Sequence, residues 1–259
     1  MRGRAAGGPG MVRTLDSLIV DVVTGTMSLL FPERCPGCDR MDVSGLCPDC
    51  MELLEWLRPE LCCPRCGNPH ITETDLGGDS CPDCRRHRPR YTKAAAVLQY
   101  SGPLVRALIL WKYHDYRHLS RMLARFPINW IARYSPSWWD SIEAIVPVPH
   151  HASTLRQRGF NPPQEIAARI GRAFGIPVMP AVLFKIRETR PQAGLHASER
   201  MVNLHGCMKV FDESLVSGRK ILVIDDVMTT GATLNESARA LRDAGASRVY
   251  GLVIARQSA

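Results

Sequence analysis

Aliphatic runs and helical patterns alternate along the carboxyl-terminal two thirds of this chain. The clearest run covers residues 221–224, four successive aliphatic side chains that predict a strand buried on both faces. Leu234, Ala238 and Leu241 then recur at helical spacing, which predicts a helix, and a second apolar run follows at residues 249–255. Because a helix between two buried strands implies a right-handed parallel crossover, this part of the chain predicts a parallel α/β sheet.

Patterns of the same kind precede this unit. They predict further strands at residues 94–100, 142–148, 181–186 and 207–211, and helices at residues 102–113, 118–134 and 162–174. In a parallel sheet, ligands bind at the carboxyl ends of the strands. We therefore expect the loops that follow Val148 and Ile224 to face one cleft.

The first 31 residues are expected to lie outside these folded units. Residues 1–12 are predicted to be a disordered leader, and residues 13–31 place aliphatic side chains along one face of an amphipathic helix. This segment contains Asp16 and Asp21 and is too short to span a membrane, and it lacks the cleavage site of a secretory signal. We expect this helix to pack on its own protein rather than on a membrane surface, and we place the protein in the cytoplasm.

Charge is distributed unevenly along the 259 residues, whose net charge is +8. Residues 1–90 carry 11 basic and 13 acidic side chains, whereas residues 91–259 carry 22 basic and 12 acidic side chains. The excess of basic groups in the second part suits an anionic ligand and leaves nucleic acid open as a partner.

Cysteine pairs dominate residues 32–90. Eight cysteines form four Cys-Pro-x-Cys pairs, and each pair can direct two thiolates at one point, as a zinc knuckle does. Disulfides are the alternative, but the expected compartment is reducing and the thiols of such pairs rarely form structural bridges. A sequential assignment gives two structural Zn²⁺ sites, with ligands Cys35, Cys38, Cys47 and Cys50, and Cys63, Cys66, Cys81 and Cys84.

Spacing alone leaves other ligand sets open. The knuckles can also pair in an interleaved order, and Cys62 can displace Cys63, whereas the distant Cys207 is interpreted as a small buried hydrophobic residue. A four-cysteinate zinc site carries about two negative charges, so we interpret the ribbons as structural rather than DNA-binding. The basic run at residues 85–90 is either a phosphate-binding strip or a solvated linker.

Two acids and a hydroxyl-rich turn follow the strand at residues 221–224. Asp225 and Asp226 end the strand, and the turn at residues 229–233 contains three threonines and Gly231 before the helix begins. Free N–H groups and the helix dipole make such a turn an anion cradle. Two acids beside a phosphate site suit a ligand that also carries vicinal hydroxyls, namely a ribose phosphate. An ordinary helix cap explains neither the doubled acid nor the doubled threonine.

Two polar segments can complete this site. The segment at residues 147–161 is predicted to be a loop in which Arg156 and Arg158 offer planar donors for diphosphate oxygens, while His150 and His151 are expected to be solvated. The polar connection at residues 187–203 is either a lid or disordered.

The motif of residues 225–233 closely resembles the phosphoribosyl-pyrophosphate (PRPP) motif of type I phosphoribosyltransferases. Other motifs of the chain are, in order, LLFPERCPGC, the later cysteine pairs, Tyr100 and Gly102 followed by Lys112-Tyr113, VPVP with Arg158-Gly159-Phe160-Asn161, and the polar connection. Together with the acidic motif, and in this order, they make the chain from about Leu29 onward resemble the ComF family. One departure is Pro162-Pro163 before Gln164, where the family commonly has Gln-Ala directly after Arg-Gly-Phe-Asn.

The resemblance implies an α/β fold and a set of site residues. It implies a type I phosphoribosyltransferase-like parallel sheet flanked by helices over residues 91–259, preceded by a small cysteine-rich double zinc ribbon over residues 32–90. Asp225 and Asp226 are the implied catalytic pair, holding the ribose hydroxyls. The implied PRPP-binding residues are Val227, Met228, Thr229, Thr230, Gly231, Ala232 and Thr233. The implied pyrophosphate loop contains Pro147, Val148, Pro149, Arg156, Arg158, Gly159, Phe160 and Asn161, and the implied flexible loop contains Arg190, Gln192, Arg200 and Asn203.

The resemblance also implies an activity. A family member is expected to transfer phosphoribosyl from PRPP, with Mg²⁺, to a nitrogen acceptor that the sequence does not identify, releasing pyrophosphate and serving competence and DNA uptake. Two alternatives stay open: a sensor that binds PRPP or a nucleotide without turnover, and a module that handles single-stranded DNA with the uptake machinery. No nucleobase pocket is recognisable, because helical cores or subunit contacts account for the candidate aromatics Trp111, Tyr113, Trp130, Trp138 and Trp139.

Overall fold

The computed structural model describes residues 33–41, 43–69, 80–114, 116–189, 199 and 203–257. The predicted leader and amphipathic helix therefore lie outside the described residues. Within the described ranges, no helix is long and apolar enough to cross a membrane.

Helices and strands alternate along the described part of the chain. The α-helices are α1 (Pro48–Glu52), α2 (Pro82–His87), α3 (Gly102–Tyr113), α4 (Leu119–Tyr134), α5 (Ala152–Arg158), α6 (Pro162–Phe174) and α7 (Ala232–Asp243). The strands are β1 (Lys93–Gln99), β2 (Ala144–Pro147), β3 (Leu183–Lys185), β4 (Met208–Val210), β5 (Lys220–Met228) and β6 (Arg248–Arg256).

A four-stranded parallel sheet forms the centre of the fold, with the strand order β1-β6-β5-β2. Helices α3, α4 and α6 share one hydrophobic core with Leu222, Ile224 and Leu252 on one face. Helix α7 shares a second core with Ile221 and Val223 on the opposite face. The central strands β5 and β6 are therefore covered on both sides, which explains their unbroken aliphatic sequences. The parallel α/β architecture predicted from the sequence is confirmed.

Two local predictions differ from the structure. The strands predicted around residues 181–186 and 207–211 are shorter and form a separate antiparallel pair, β3 with β4, rather than joining the parallel sheet. The segment predicted as a loop before Gly159 contains helix α5. The side chain of His151 accepts a hydrogen bond from the N–H of Ser153 at the start of this helix, and Gly159 ends it with a φ of 77°. The cap and the glycine bound a helix too short for periodicity to reveal.

The cysteine-rich segment covers the free edge of β1. Leu57 donates a backbone hydrogen bond of 2.9 Å to Val97, and Gln99 donates one of 2.8 Å to Glu55. Further along the same edge, Ala94 donates a bond of 2.7 Å to the carbonyl oxygen of Arg65. An exposed edge strand offers unpaired backbone groups to other chains. Here the segment between the two cysteine clusters occupies that edge and brings the second cluster towards the sheet.

Candidate functional site

Two adjacent buried carboxylates lie near the carboxyl end of the central strand β5. Asp225 and Asp226 are only 9% and 6% exposed. The side chain of Asp225 accepts a 2.9 Å hydrogen bond from the N–H of Asp226, and that of Asp226 accepts one of 2.6 Å from the N–H of Val227. Burial and the adjacent charge of Asp226 raise the pKa of Asp225 to about 8. A ligand that brings hydrogen-bond donors or a cation would therefore stabilise the ionised form of this pair.

A lysine from α3 reaches this pair. Lys112 Nζ donates a hydrogen bond of 2.7 Å to Oδ1 of Asp226. Burial alone would lower the pKa of Lys112, but the charge and hydrogen bond of Asp226 outweigh burial and raise it. Sequence reasoning did not assign Lys112 to the site, and its only signal was its place in the Lys112-Tyr113 motif of the resemblance.

The turn after β5 has the shape of an anion cradle. Gly231 adopts a φ of 76°, and helix α7 begins at the next residue, within the segment predicted as a turn. A Cβ atom at Gly231 would lie 2.7 Å from Cε of Met228, so the tight backbone path favours glycine. A cavity of about 20 Å³ lies inside the turn, and Asp225, Thr229 and Thr233 contribute to its lining. The structure thus brings the predicted residues 225–233 together around one helix amino terminus.

The segment after β2 lies directly beside the part of β5 that carries the two carboxylates. Val148 donates a backbone hydrogen bond of 2.9 Å to the carbonyl oxygen of Ile224, the residue before the carboxylates. Pro147, Val148 and Pro149 therefore follow the edge of the sheet next to Asp225. This segment reaches the carboxylates because β2 and β5 are neighbours in the sheet.

His150 lies inside the site, contrary to the expectation that it is solvated. An N–H of the Arg158 guanidinium points to Nε2 of His150 at 3.3 Å, and Nδ1 of His150 lies 2.8 Å from Oδ1 of Asn161. Asn161 in turn donates a bond of 3.1 Å to the carbonyl oxygen of Val148. Since an arginine only donates, Nε2 accepts and Nδ1 carries the proton. Burial lowers the pKa of His150, which keeps the imidazole neutral and able to accept from Arg158.

The remaining residues of this loop have different surroundings. The Arg158 guanidinium lies 5.0 Å from the ring centroid of Tyr113, whereas Arg156 is exposed on α5. Phe160 is buried, with its ring 6.3 Å from that of Trp111, so it packs in the core rather than lining the site. His151 caps α5 and is not part of the His150 chain of hydrogen bonds.

Of the four residues predicted for the flexible loop, only Asn203 is among the residues that the structure describes. Asn203 accepts a 3.1 Å hydrogen bond at its carbonyl oxygen from Arg187. The other predicted members, Arg190, Gln192 and Arg200, lie outside the described residues.

The eight paired cysteines form two clusters with the sequential grouping. In each cluster the four sulfur atoms lie within 4.8 Å of one another. The sulfur atoms of Cys38 and Cys47 are 3.6 Å apart, and those of Cys66 and Cys81 are 3.7 Å apart. A tetrahedral zinc ion with bonds of about 2.3 Å places its sulfur ligands about 3.8 Å apart. The clusters consist of Cys35, Cys38, Cys47 and Cys50, and of Cys63, Cys66, Cys81 and Cys84.

The chemistry of these clusters fits structural zinc. All ten cysteines are free thiols, so the disulfide alternative fails. Sγ of Cys35 accepts hydrogen bonds from the N–H groups of Gly37 and Cys47. Burial alone would raise the pKa of Cys35, but backbone hydrogen bonds outweigh burial and lower it to about 6, which favours the thiolate that zinc requires. Cys62 stands outside the second cluster, and burial raises its pKa to about 11.

The second cysteine cluster contacts the end of β6, next to the residue that precedes the turn at residues 229–233. Arg256, the last residue of β6, is 7% exposed and donates a 2.8 Å hydrogen bond to the carbonyl oxygen of Cys66. Tyr91 is also buried, and its hydroxyl would lie 3.4 Å from a Cβ placed on Gly231. Sequence reasoning did not identify either residue. The sequence feature that could have identified Arg256 is its position as a cation at the carboxyl end of an apolar strand, where ligands of parallel sheets bind.

Comparison with known proteins agrees with both halves of this architecture. Residues 26–85 match the double zinc ribbon domain, and residues 141–259 match the phosphoribosyl transferase domain. The chain is 27% identical to Competence protein F of Haemophilus influenzae over 85% of this chain and 94% of that protein. It is 26% identical to the DNA utilization protein YhgH of Escherichia coli (strain K12), over 79% and 87% of the two chains. It is 25% identical to Competence protein ComFC of Bacillus subtilis (strain 168), over 77% and 79%.

The two matched domains follow each other in the chain in the same order as the two parts of the structure. A ribbon with two four-cysteine clusters precedes a parallel sheet whose central strand β5 carries the two buried carboxylates near its carboxyl end. The similarity to these relatives extends beyond the phosphoribosyl transferase segment, since it covers 77–85% of this chain. This chain therefore joins a double zinc ribbon domain to a phosphoribosyl transferase domain, and over most of its length it is similar to competence proteins of the ComF type.

Proposed function

We propose that this protein binds PRPP at the carboxyl edge of its parallel sheet and transfers the phosphoribosyl group to a nitrogen acceptor, with release of pyrophosphate. The observation that carries the proposal is the buried pair Asp225 and Asp226 beside the glycine-containing turn at residues 229–233. A phosphate cradle next to two carboxylates matches a ligand with a phosphate at one end and vicinal hydroxyls at the other.

Each part of the site has a role in this proposal. The carboxylates would accept hydrogen bonds from the ribose hydroxyls, and the turn with the amino terminus of α7 would bind the 5-phosphate. Arg156, Arg158 and the backbone of residues 147–149 would bind the diphosphate. The Lys112 ammonium, now paired with Asp226, adds a cation close to the ribose.

Magnesium fits the oxygen donors of this site. Mg²⁺ is usually held by one or two carboxylates together with substrate phosphates and water, and Asp225 and Asp226 supply such carboxylates. When bound with PRPP, it would neutralise charge on the departing diphosphate.

The residues would act mainly by positioning and by charge. The bond between the anomeric carbon and the diphosphate oxygen breaks with its electron pair leaving on the diphosphate. The acceptor nitrogen supplies the pair for the new bond and loses a proton. Fixed cations such as Arg158 stabilise the leaving charge in a site that is already organised. No buried protein base is required by this scheme, which agrees with the hydrogen-bonded, neutral His150.

The names of the relatives support a setting for this reaction. They are called competence and DNA utilization proteins. We therefore place the proposed reaction in the service of DNA uptake, with single-stranded DNA or the uptake machinery as a partner. The net basic residues 91–259 suit such a partner. Location in the cytoplasm stays a prediction from the sequence.

A pyrophosphate-release assay tests the proposed function. The protein is incubated with PRPP and Mg²⁺ across a panel of nucleobases and amines, and we expect release that depends on one acceptor. Asp226→Asn should abolish release, whereas the control Asp140→Asn, at an exposed carboxylate in the turn before β2, should leave it unchanged.

Other outcomes distinguish the alternatives. Binding of PRPP without release from any acceptor would favour a sensor. Failure to bind PRPP, together with salt-dependent binding of single-stranded DNA, would overturn the transferase and the sensor together.

A further inference from the structure

One aromatic residue at the edge of the site is exposed. Of the five aromatic residues considered as base-stacking candidates, Trp111, Trp130, Trp138 and Trp139 are at most 8% exposed, whereas Tyr113 is 68% exposed. The buried indoles are accounted for by core packing, and two of them donate hydrogen bonds to Ser120 and Leu57. Core packing does not account for Tyr113, which ends α3.

The surroundings of Tyr113 connect it to the ribose and diphosphate positions. The preceding residue, Lys112, binds Asp226 at 2.7 Å. The guanidinium of Arg158 lies over the Tyr113 ring at 5.0 Å from its centroid. The same guanidinium points to His150 in the segment after β2, and His150 in turn pairs with Asn161. The ring is therefore held by Arg158, which would contact the diphosphate, and it directly follows Lys112, which would lie close to the ribose.

We propose that the Tyr113 ring, held by Arg158, is a stacking platform for a planar nitrogen heterocycle joined to the ribose, so that the acceptor is a nucleobase. This inference rests on the proposed function, because it places the base beside a ribose phosphate bound at residues 225–233. Every base has a π face, so such a platform selects the chemical class more than the individual base. An arginine against the ring adds a cation–π contribution and limits its motion.

The geometry disfavours a purely structural role for this side chain. A tyrosine that serves packing buries most of its ring and finds a partner for its hydroxyl. Tyr113 instead leaves most of its surface open while one cation contacts it. The next exposed aromatic along the chain, Tyr116, is 39% exposed and pairs with the ring of His118 rather than with a site residue. Tyr116 is therefore a matched control.

Calorimetric binding of two kinds of probe tests the platform. Ribose 5-phosphate carries the sugar phosphate without a base, and AMP, GMP, CMP and UMP add a base to it. With Mg²⁺ present, we expect at least one nucleotide to bind the wild-type protein at least about tenfold more tightly than ribose 5-phosphate. Tyr113→Ala should lose about that factor for the nucleotide and retain its affinity for ribose 5-phosphate. Tyr113→Phe should stay within about threefold of wild type, and Tyr116→Ala should match wild type.

The outcomes separate this inference from the function on which it rests. If the wild-type protein binds neither PRPP nor ribose 5-phosphate, both proposals fail. If it binds them but no nucleotide binds more tightly than ribose 5-phosphate, only the platform is overturned. An equal loss of both kinds of probe in Tyr113→Ala also overturns the platform, because it indicates damage to the sugar-phosphate site. Circular dichroism and zinc content verify that each variant is folded.

Discussion

Lys112 Nζ lies 2.7 Å from Oδ1 of Asp226, although the two residues are 114 positions apart in the chain. Their side chains are 19% and 9% exposed. Helix α3 ends at Tyr113, upstream of the segment 141–259 that matches the phosphoribosyl transferase domain, so that domain match does not include every charged group at the site. The lysine partly compensates two adjacent acids in a place where little water reaches them.

A double-mutant cycle on this pair should reveal strong coupling. Lys112→Met leaves Asp226 without its cation, and we expect the free energy of unfolding to fall by about 2–4 kcal/mol. Asp226→Asn in the same background should recover part of this loss, because the uncompensated charge is gone. Urea unfolding of the four proteins measures the coupling. Additivity of the two single changes within about 0.5 kcal/mol would contradict the interaction.

Stability should depend on pH through Asp225. Its pKa is about 8 in the folded protein, against an ordinary value of 3.8. Between these values the folded state holds a proton that the unfolded chain has lost, so stability falls as pH rises and levels off above about 8. Asp225→Asn should remove a slope of up to about 1.4 kcal/mol per pH unit.

Urea unfolding of wild type and Asp225→Asn between about pH 6.5 and 9 measures this difference, in a range where zinc thiolates stay bound. Asparagine keeps an oxygen that can accept from the N–H of Asp226, so the comparison isolates the ionisable group. Parallel curves for the two proteins would show that Asp225 does not titrate in this window.

Arg256 should stabilise the second zinc site. Its guanidinium donates to the carbonyl oxygen of Cys66 and lies 3.8 Å from the Cys66 sulfur. Arg256→Met removes this support, and we expect one of the two zinc ions to bind at least about tenfold more weakly. The rate of zinc release to a colorimetric chelator, resolved into two phases, measures the effect.

The matched control for Arg256 is Arg106, whose guanidinium lies 3.4 Å from Asp39 beside the first cluster. This ion pair is 44% and 55% exposed, so Arg106→Met should leave both release phases unchanged. Two release phases that are both identical in wild type and Arg256→Met would contradict the role of Arg256.

Gly231 should be required for phosphate binding as well as for stability. Gly231→Ala places a Cβ at a φ of 76° and 2.7 Å from Cε of Met228. We expect a loss of about 1–2 kcal/mol in the free energy of unfolding and at least tenfold weaker binding of ribose 5-phosphate.

Gly175 provides the comparison for Gly231. It has a φ of 69°, and a Cβ there would meet nothing within 4 Å. Gly175→Ala should therefore lose a similar amount of stability, because the backbone strain is alike, without affecting binding of ribose 5-phosphate. Equal binding of ribose 5-phosphate by the two variants would show that Gly231 is not required for phosphate binding. Urea unfolding and calorimetry provide the two readouts.

The parts of this protein that local sequence determined are those whose residues lie close together in the chain. The unbroken aliphatic run before Asp225 and the helical spacing after Gly231 predict β5 and α7 from the backbone periodicities alone. The Cys-x-x-Cys spacing predicts knuckles for the same reason, since two residues between the cysteines suffice to direct both thiolates at one metal. The parallel sheet followed from such segments, and it is confirmed.

Tertiary structure alone decided which distant residues meet. It separated β3 and β4 from the parallel sheet, placed His150 between Arg158 and Asn161, and left Tyr113 exposed. It also joined Lys112 to Asp226 and Arg256 to Cys66, pairs that are more than 100 residues apart. No local period encodes such contacts, because they depend on strand order and on helix packing across the whole sheet. The sequence alone determined the acidic turn and the cysteine pairs, and folding determined the cations and the aromatic ring that surround them.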